Sequence, residues 1–435
     1  MDLLVYLKEK TSRSDYVFNH IFHHIFGLNI SFTDDVEYFL ASKIPKINYS
    51  KKSFSNEIFF YASDILFETD IKKQDMTCSN YNGIVVFFLC DKGILNFDPF
   101  AATFYMLSRY EEYLPYNKDQ MGRFPPEESI LFKMNALDLP VVDHWIIFIK
   151  NILVQTYPNL VFKTHKFNFV NTIDIDNAYA YLGKGFFRSL ASSFRDLIRL
   201  NYNNFKERIH VLLFNKHDPY DQYDYLLNTH KKYNLNTIFF FLLGDFSNYD
   251  RNLNFSSSVL NKLIKKIYGF CNVGMHTSVS SVKYPSKVSI EKKRLIHIIN
   301  QDVTINRQHF ICLNTPYVYR NLIDYGIKHD YSMGFPSSPG FRAGTSYNFY
   351  FFDLLKNNAT FLLLHPFSIM DVSLRNYLCL NQKQAIIQIK KIIDHIKIVN
   401  GTFISVWHNE SVMDMGKWLN WRSVYDQMIK YIVNE

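Results

Sequence analysis

The sequence predicts an α/β protein: a (β/α)7-type distorted barrel preceded by a smaller α/β domain. Two observations carry that expectation. From about residue 165 onward, short apolar runs of strand type alternate with helical segments, which predicts parallel strands joined by crossover helices. Seven such repeats over about 270 residues match the size of a β/α barrel. The 435-residue chain leaves residues 1–160 in front of the repeats, enough for a second unit.

Leu3–Leu7 reads as a short strand. Ser14 is placed to cap a helix running through Phe26 and ending at Gly27. His20, His23 and His24 share a face of that helix, in a pattern more typical of an ordinary helix surface than of a metal site. Residues 58–61 and 83–90 read as buried strands. Asp98 as N-cap and Pro99 as first helical residue start a second helix. Arg109, Glu111 and Glu112 follow as a structural ion-pair cluster. Residues 117–126 form a loop, and 141–157 an amphipathic helix. The seven strands of the second unit, 165–435, fall at 167–174, 236–244, 271–276, 303–308, 328–333, 359–365 and 402–408. Helices fall at 220–233, 256–268, 289–300 and 382–399, and the long connection from 174 to 236 is expected to include two helices. An open doubly wound sheet is the competing architecture, but no glycine-rich phosphate loop follows the first of these strands.

The net charge of +8 accompanies scattered basic residues with no basic arm or nucleic-acid motif, so no nucleic-acid partner is expected. Cys78, Cys90, Cys271, Cys312 and Cys379 are isolated and lack CxxC spacing, which points to neither a disulfide framework nor a zinc-thiolate site. The N-terminal apolar run is too short for a signal peptide, and no apolar stretch reaches a membrane span. A cytoplasmic location without stable membrane insertion is the expectation.

In parallel β/α folds, function collects at the carboxyl ends of strands. There the first strand offers Asp174 and Asp176, two residues apart and therefore on one side. Two acids so placed repel, and they persist at a strand end when a metal, a proton or a cation is shared between them; the alternative is a strand cap with an Asx-turn. The third strand ends at His276, the fourth at Arg307 and His309, the fifth carries Asp330, and the seventh ends at His408. Aspartate with histidine suits Zn²⁺ or a similar divalent ion, and a second carboxylate beside it can act as general base on water.

These residues carry a resemblance. The stretch 165–415 resembles the polysaccharide deacetylase domain (NodB homology, carbohydrate esterase family 4). Thr172-Ile-Asp174-Ile-Asp176 stands where that family has Thr-Phe-Asp-Asp, with one residue inserted between the acids. His276-Thr-Ser-Val-Ser280 stands where it has His-Ser/Thr-x-x-His, with Ser280 in place of the second histidine. The whole chain resembles more closely a divergent bacterial subgroup that shares Asp98–Glu112, Arg307–Phe310, Asp330–Phe335 and Gly340–Thr345. The resemblance implies Asp174 as base, Asp176 and His276 as metal ligands, Arg307 as the residue orienting the base and His408 as the acid.

His309, at the neighbouring strand end, is the candidate for the missing ligand. Arg342, in a glycine-flanked loop, reads either as a grip for a substrate carboxylate or phosphate or as a structural ion pair, and it and Asp330 are the candidate substrate-binding residues. Asp371 reads as a helix cap and His365 as structural. The expected function is a metal-dependent hydrolase, with zinc the expected ion, removing acetyl groups from N-acetylated sugars of a surface glycan or its precursor. The rival is a degenerate barrel that binds carbohydrate or serves as a scaffold in glycan biosynthesis. Glycoside hydrolysis, with Asp330 opposite Asp174, is a third reading.

Overall fold

A computed structural model describes residues 2–433. Leu3–Leu7 (β1), Ile30–Thr33 (β2), Lys46–Ser50 (β3) and Ile58–Tyr61 (β4) form a parallel sheet in the order β2-β1-β3-β4. β1 lies inside this sheet and every residue of it is buried, which is why it reads as a continuous apolar run. Cys78–Tyr81 (β5) and Ile84–Phe87 (β6) make a separate antiparallel hairpin. The first helix begins at Ser12. Thr11 is its N-cap, and Ser14, which the sequence suggests as the cap, is instead the reciprocal partner in a capping box.

The helix Pro99–Leu107 is capped by Asp98, which accepts from the amides of Phe100 and Ala101, both at 3.0 Å. Every residue of this helix is buried. It is enclosed because the second sheet packs against it: the rings of Phe104 and Phe352 stand 5.1 Å apart, edge to face.

That sheet contains Asn168–Ile175 (β7), Asn236–Leu242 (β8), Asn272–Thr277 (β9), Ile305–Gln308 (β10), His329–Asp330 (β11), Phe349–Asp353 (β12), Asn358–Leu364 (β13), Ile369–Met370 (β14) and Thr402–His408 (β15). The order is β12-β13-β11-β10-β9-β8-β7-β15-β14, with all pairs parallel except β12–β13. All seven strands expected in this part are present. Two are additional: the antiparallel edge β12 and the two-residue β14. Among the described residues no ladder joins β12 to β14, so the sheet has two edges and is not a barrel closed by hydrogen bonds. The long connection after β7 holds three helices where two are expected: Phe186–Ile198, Tyr202–Leu213 and Tyr223–Tyr233.

A buried ionic network ties the two parts together. Glu112 accepts from Arg342 Nε at 2.8 Å and Nη2 at 2.9 Å, from Arg109 Nε at 2.8 Å and from Thr315 Oγ1 at 3.0 Å. Arg109 Nη2 also meets Glu111 at 2.8 Å, and its Nη1 donates to the carbonyl of Arg342. Burial disfavours the Glu112 charge, yet the two guanidinium groups hold its carboxyl down at about 2. The remaining Arg342 nitrogen, Nη1, donates to the Gly334 carbonyl at 3.2 Å. Of the two readings of Arg342 the structure has the ion pair, and the substrate-binding one is corrected: every guanidinium nitrogen is engaged inside the protein and none is offered to a substrate.

Asp330 is corrected likewise. It is fully buried and accepts from Asn306 Nδ2 (2.9 Å), the Ser332 amide (2.9 Å) and Ser332 Oγ (2.9 Å). Burial pushes its carboxyl up to about 6. It braces the ends of β10 and β11, and the two-carboxylate reading with Asp174 loses its second acid. His365 is buried against His329, at 3.0 Å, with its ring pushed down to about 3 by burial.

Candidate metal and acid–base centre

The register of the second sheet brings the polar strand ends together. His408 lies beside Asp174 across β15 and β7, and Arg307 beside His276 across β10 and β9. Asp176 follows the end of β7, and His309 the end of β10. The two acids project to one side, as the alternation of a strand requires: Asp176 Oδ1 is 3.1 Å and Asp174 Oδ2 3.8 Å from His276 Nε2.

Asp174 is buried, and its Oδ1 accepts from Arg307 Nη1 at 2.8 Å. Arg307 is itself fixed. Its Nη1 also donates to Thr172 Oγ1 (2.7 Å), its Nε to the Tyr331 carbonyl (2.9 Å), and its guanidinium lies 4.5 Å from the centre of the Phe240 ring. The pair therefore presents an oriented carboxylate with Oδ2 directed at the site.

Asp176, His276 and His309 form a second group. Their nearest ligand atoms all lie within 4.8 Å of one another. Asp176 Oδ2 is 3.4 Å from His309 Nε2. Each histidine is pinned at its far nitrogen: His276 Nδ1 lies 2.9 Å from the Arg307 carbonyl, and His309 Nδ1 lies 2.9 Å from Asp250 Oδ1. A ring that donates from Nδ1 to such an acceptor turns the Nε2 lone pair toward Asp176. Asp176 Oδ1 is buried and makes no hydrogen bond. A carboxylate whose Oδ1 faces one imidazole nitrogen and whose Oδ2 faces another needs a cation or a proton between them. The field there favours positive charge. Although burial opposes it, Asp176 and Asp250 push the His309 ring up to about 9. Burial likewise opposes the Asp176 charge, yet the histidines hold its carboxyl well below its ordinary value.

The donor set fits a divalent ion. Ligand atoms about 2.0–2.2 Å from a tetrahedral zinc lie roughly 3.3–3.6 Å apart. The 3.1 and 3.4 Å separations between Asp176 and the two imidazoles are close to that. Ser280 takes no part: its hydroxyl lies 3.0 Å from Ser278 Oγ, and its amide donates to Asp250 Oδ2 at 3.4 Å.

His408 faces the group from the other side, with Nε2 3.8 Å from Asp176 Oδ2. Its Nδ1 lies 2.8 Å from Asp371 Oδ1, and its amide donates to Asp371 Oδ2 at 2.8 Å. Burial works against a charged ring, but Asp371 outweighs it and pushes His408 up to about 10. Asp371 has the local sequence of a helix cap. It does accept from the Val372 amide at 2.6 Å, and it is also the partner of His408.

Asp250 is a residue that sequence reasoning misses. It lies in the loop after β8, fully buried, and besides His309 it accepts from the Val279 amide at 2.9 Å. No periodic pattern marks such a position. The only signal is the cluster of turn-forming residues Ser247-Asn-Tyr-Asp250 just beyond a strand. His20, His23 and His24 form no comparable group: His20 is buried, with Nε2 unpartnered, while His23 and His24 are exposed.

A cleft of about 1360 Å³ opens beside Asp176 and His309, with Tyr181, Phe246, Tyr249 and Phe310 among its lining residues. A centre of one carboxylate and two imidazoles, flanked by an arginine-held carboxylate and an aspartate-held histidine, has the chemical content of a metal-assisted hydrolase.

A family of unknown function (DUF7033) matches residues 3–158, so the nine-stranded sheet lies outside that match. No curated protein matches the chain. Among solved structures, the chain is similar to a Mycobacterium smegmatis protein assigned as a polysaccharide deacetylase. That likeness has 10% identity and a TM-score of 0.42, over 62% of this chain and 85% of that one. A polysaccharide deacetylase from Bacillus cereus is similar at 12% identity and a TM-score of 0.27, over 62% and 87%. An allantoinase is similar at 8% identity and a TM-score of 0.38, over 74% and 93%. At such identities and TM-scores the chemistry has to rest on the site itself.

Proposed function

We propose that the chain is a metal-dependent hydrolase that removes acetyl groups from N-acetylated sugars of a surface glycan or its precursor. The observation that carries this reading is the buried Asp176 Oδ1, which makes no hydrogen bond although it stands 3.1 Å from an imidazole nitrogen whose ring is pinned from behind. Asp176, His276 and His309 would hold a divalent ion, with zinc the best match to the donors. Bound there, the ion supplies a Lewis acid for an amide carbonyl oxygen.

The chain's own residues do the rest. Asp174, aimed by Arg307, takes the proton of the attacking water. His408, held protonated by Asp371, gives a proton to the departing sugar nitrogen as the C–N bond breaks, leaving acetate and an amine. Phe310 and Tyr249, exposed at the cleft and packed edge to face at 6.1 Å, offer ring faces to a pyranose. Residues 1–160, joined to the sheet through Glu112 and Arg342, form the supporting domain.

The test is acetate release from a panel of N-acetylated sugars, before and after chelation. Release that is lost on chelation and restored by zinc is the expected result. No release by the zinc-loaded protein would leave the carbohydrate-binding scaffold as the better reading. Asp250→Asn probes the ring behind the site. It should weaken metal binding about 10–100-fold by competition with a chromogenic chelator, with the fold intact. Unchanged affinity would remove Asp250 from the centre.

A further inference from the structure

The helix Phe186–Ile198 is inverted relative to a surface helix of a globular protein. Phe186, Phe187, Leu190, Phe194, Leu197 and Ile198 fall within an arc of about 120° at helical periodicity. A stripe of that kind ordinarily faces the core. Here all six side chains face outward, Phe187 at 84% and Phe194 at 66% exposure. The polar face is the one turned inward. Asp196 is buried and pairs with Arg208 of the next helix at 2.6 Å, and Arg208 also reaches Ser193 Oγ at 3.1 Å. Leu200, Leu213 and Phe214 add further exposed apolar surface. An apolar area of this kind marks an interaction site.

Charge identifies the partner. Residues 183–217 contain seven Lys and Arg against two acids, and so carry five of the chain's eight net positive charges. Arg195, Arg199 and Lys206 are exposed near the stripe. Pairing this face with a second copy would bring like charge against like charge, which opposes self-association. An apolar stripe with a cationic border suits an anionic bilayer surface, where the rings enter the headgroup boundary and the bases meet lipid phosphates. Among the described residues no helix is long and apolar enough to cross a membrane, so the helix would lie on the surface rather than span it.

The position of the helix gives the contact a purpose. Arg188, Ser189, Ser192 and Arg195 line the same cleft as Asp176 and His309. We propose that the helix Phe186–Ile198 seats its apolar stripe in the headgroup region of an anionic lipid bilayer, so that the cleft beside Asp176 opens onto the membrane surface. This surface contact is independent of the reaction assigned to the site.

The test is co-sedimentation of the full chain with vesicles of phosphatidylglycerol and phosphatidylcholine, against vesicles of phosphatidylcholine alone. Binding to the anionic vesicles should be at least about tenfold tighter and should weaken with added salt. Replacing Phe187→Ser, Leu190→Ser, Phe194→Ser and Ile198→Ser together should weaken it more than about 100-fold, with the circular dichroism spectrum unchanged. Absence of binding at about 1 mM anionic lipid, or equal binding by the quadruple variant, would overturn the proposal. So would a wild-type dimer that fails to bind vesicles and is dissociated by the same four substitutions, because the face would then belong to a second copy.

Discussion

Asp174→Asn is expected to lower turnover about 10³-fold. The amide has the shape of the carboxylate, and its oxygen can still accept from Arg307 Nη1, which lies 2.8 Å from Oδ1, so the local geometry should survive. What it loses is the capacity to take a proton from water near neutral pH. The substitution leaves Asp176, His276 and His309 unaltered, so metal content should be retained. Acetate release with metal content measured on the same sample separates the two effects. Turnover within about tenfold of wild type would show that another group is the base, since general-base catalysis is worth more than that.

Glu112→Gln should destabilise the protein strongly for so conservative a change. The carboxylate serves two buried guanidinium groups, and its bonds to Arg342 and Arg109 are 2.8, 2.9 and 2.8 Å long. Arg109 keeps Glu111 at 2.8 Å. Arg342, fully buried, would be left with carbonyl-type acceptors and no anion. Breaking a buried pair from one side costs about 3–5 kcal/mol, because the remaining charge is uncompensated. Urea unfolding should show a loss of that size. A change below about 0.5 kcal/mol, the range of an ordinary surface substitution, would mean that the network contributes little to holding residues 1–160 against the sheet.

The alternation of strands and helices is legible in the sequence because strands buried on both faces are unbroken apolar runs. In β8 the run Thr237-Ile-Phe-Phe-Phe-Leu242 is buried at every position, and that continuity is what makes the strand readable. β14 escapes because two residues carry no period. β12, Phe349-Tyr-Phe-Phe-Asp353, follows a long loop, and its antiparallel return to β13 breaks the strand–helix alternation on which the reading relies. Closure is the other point of difference: seven repeats match a barrel in size, but size does not decide whether the two edge strands meet, and here they do not pair.

The candidate site is legible to a similar depth. Asp174, Asp176, His276, Arg307, His309 and His408 can be located because strand ends follow from hydrophobic pattern, and the sheet register then sets them side by side. Their supports are harder to see. Asp250 lies in a loop with no period, and Asp371 has the local sequence of a cap although its carboxylate is the partner of His408. Arg342 and Asp330 look available in the sequence because they are polar and near glycines or strand ends. Burial, which a single sequence does not reveal at isolated polar positions, turns both inward.

The most direct measurement is the zinc content of the purified, zinc-reconstituted chain beside that of His309→Ala. One ion per wild-type chain, lost in the variant while the fold persists, is the expected result. Wild-type protein that holds no zinc after reconstitution, or a variant that keeps a full complement, would contradict a shared ion between Asp176, His276 and His309.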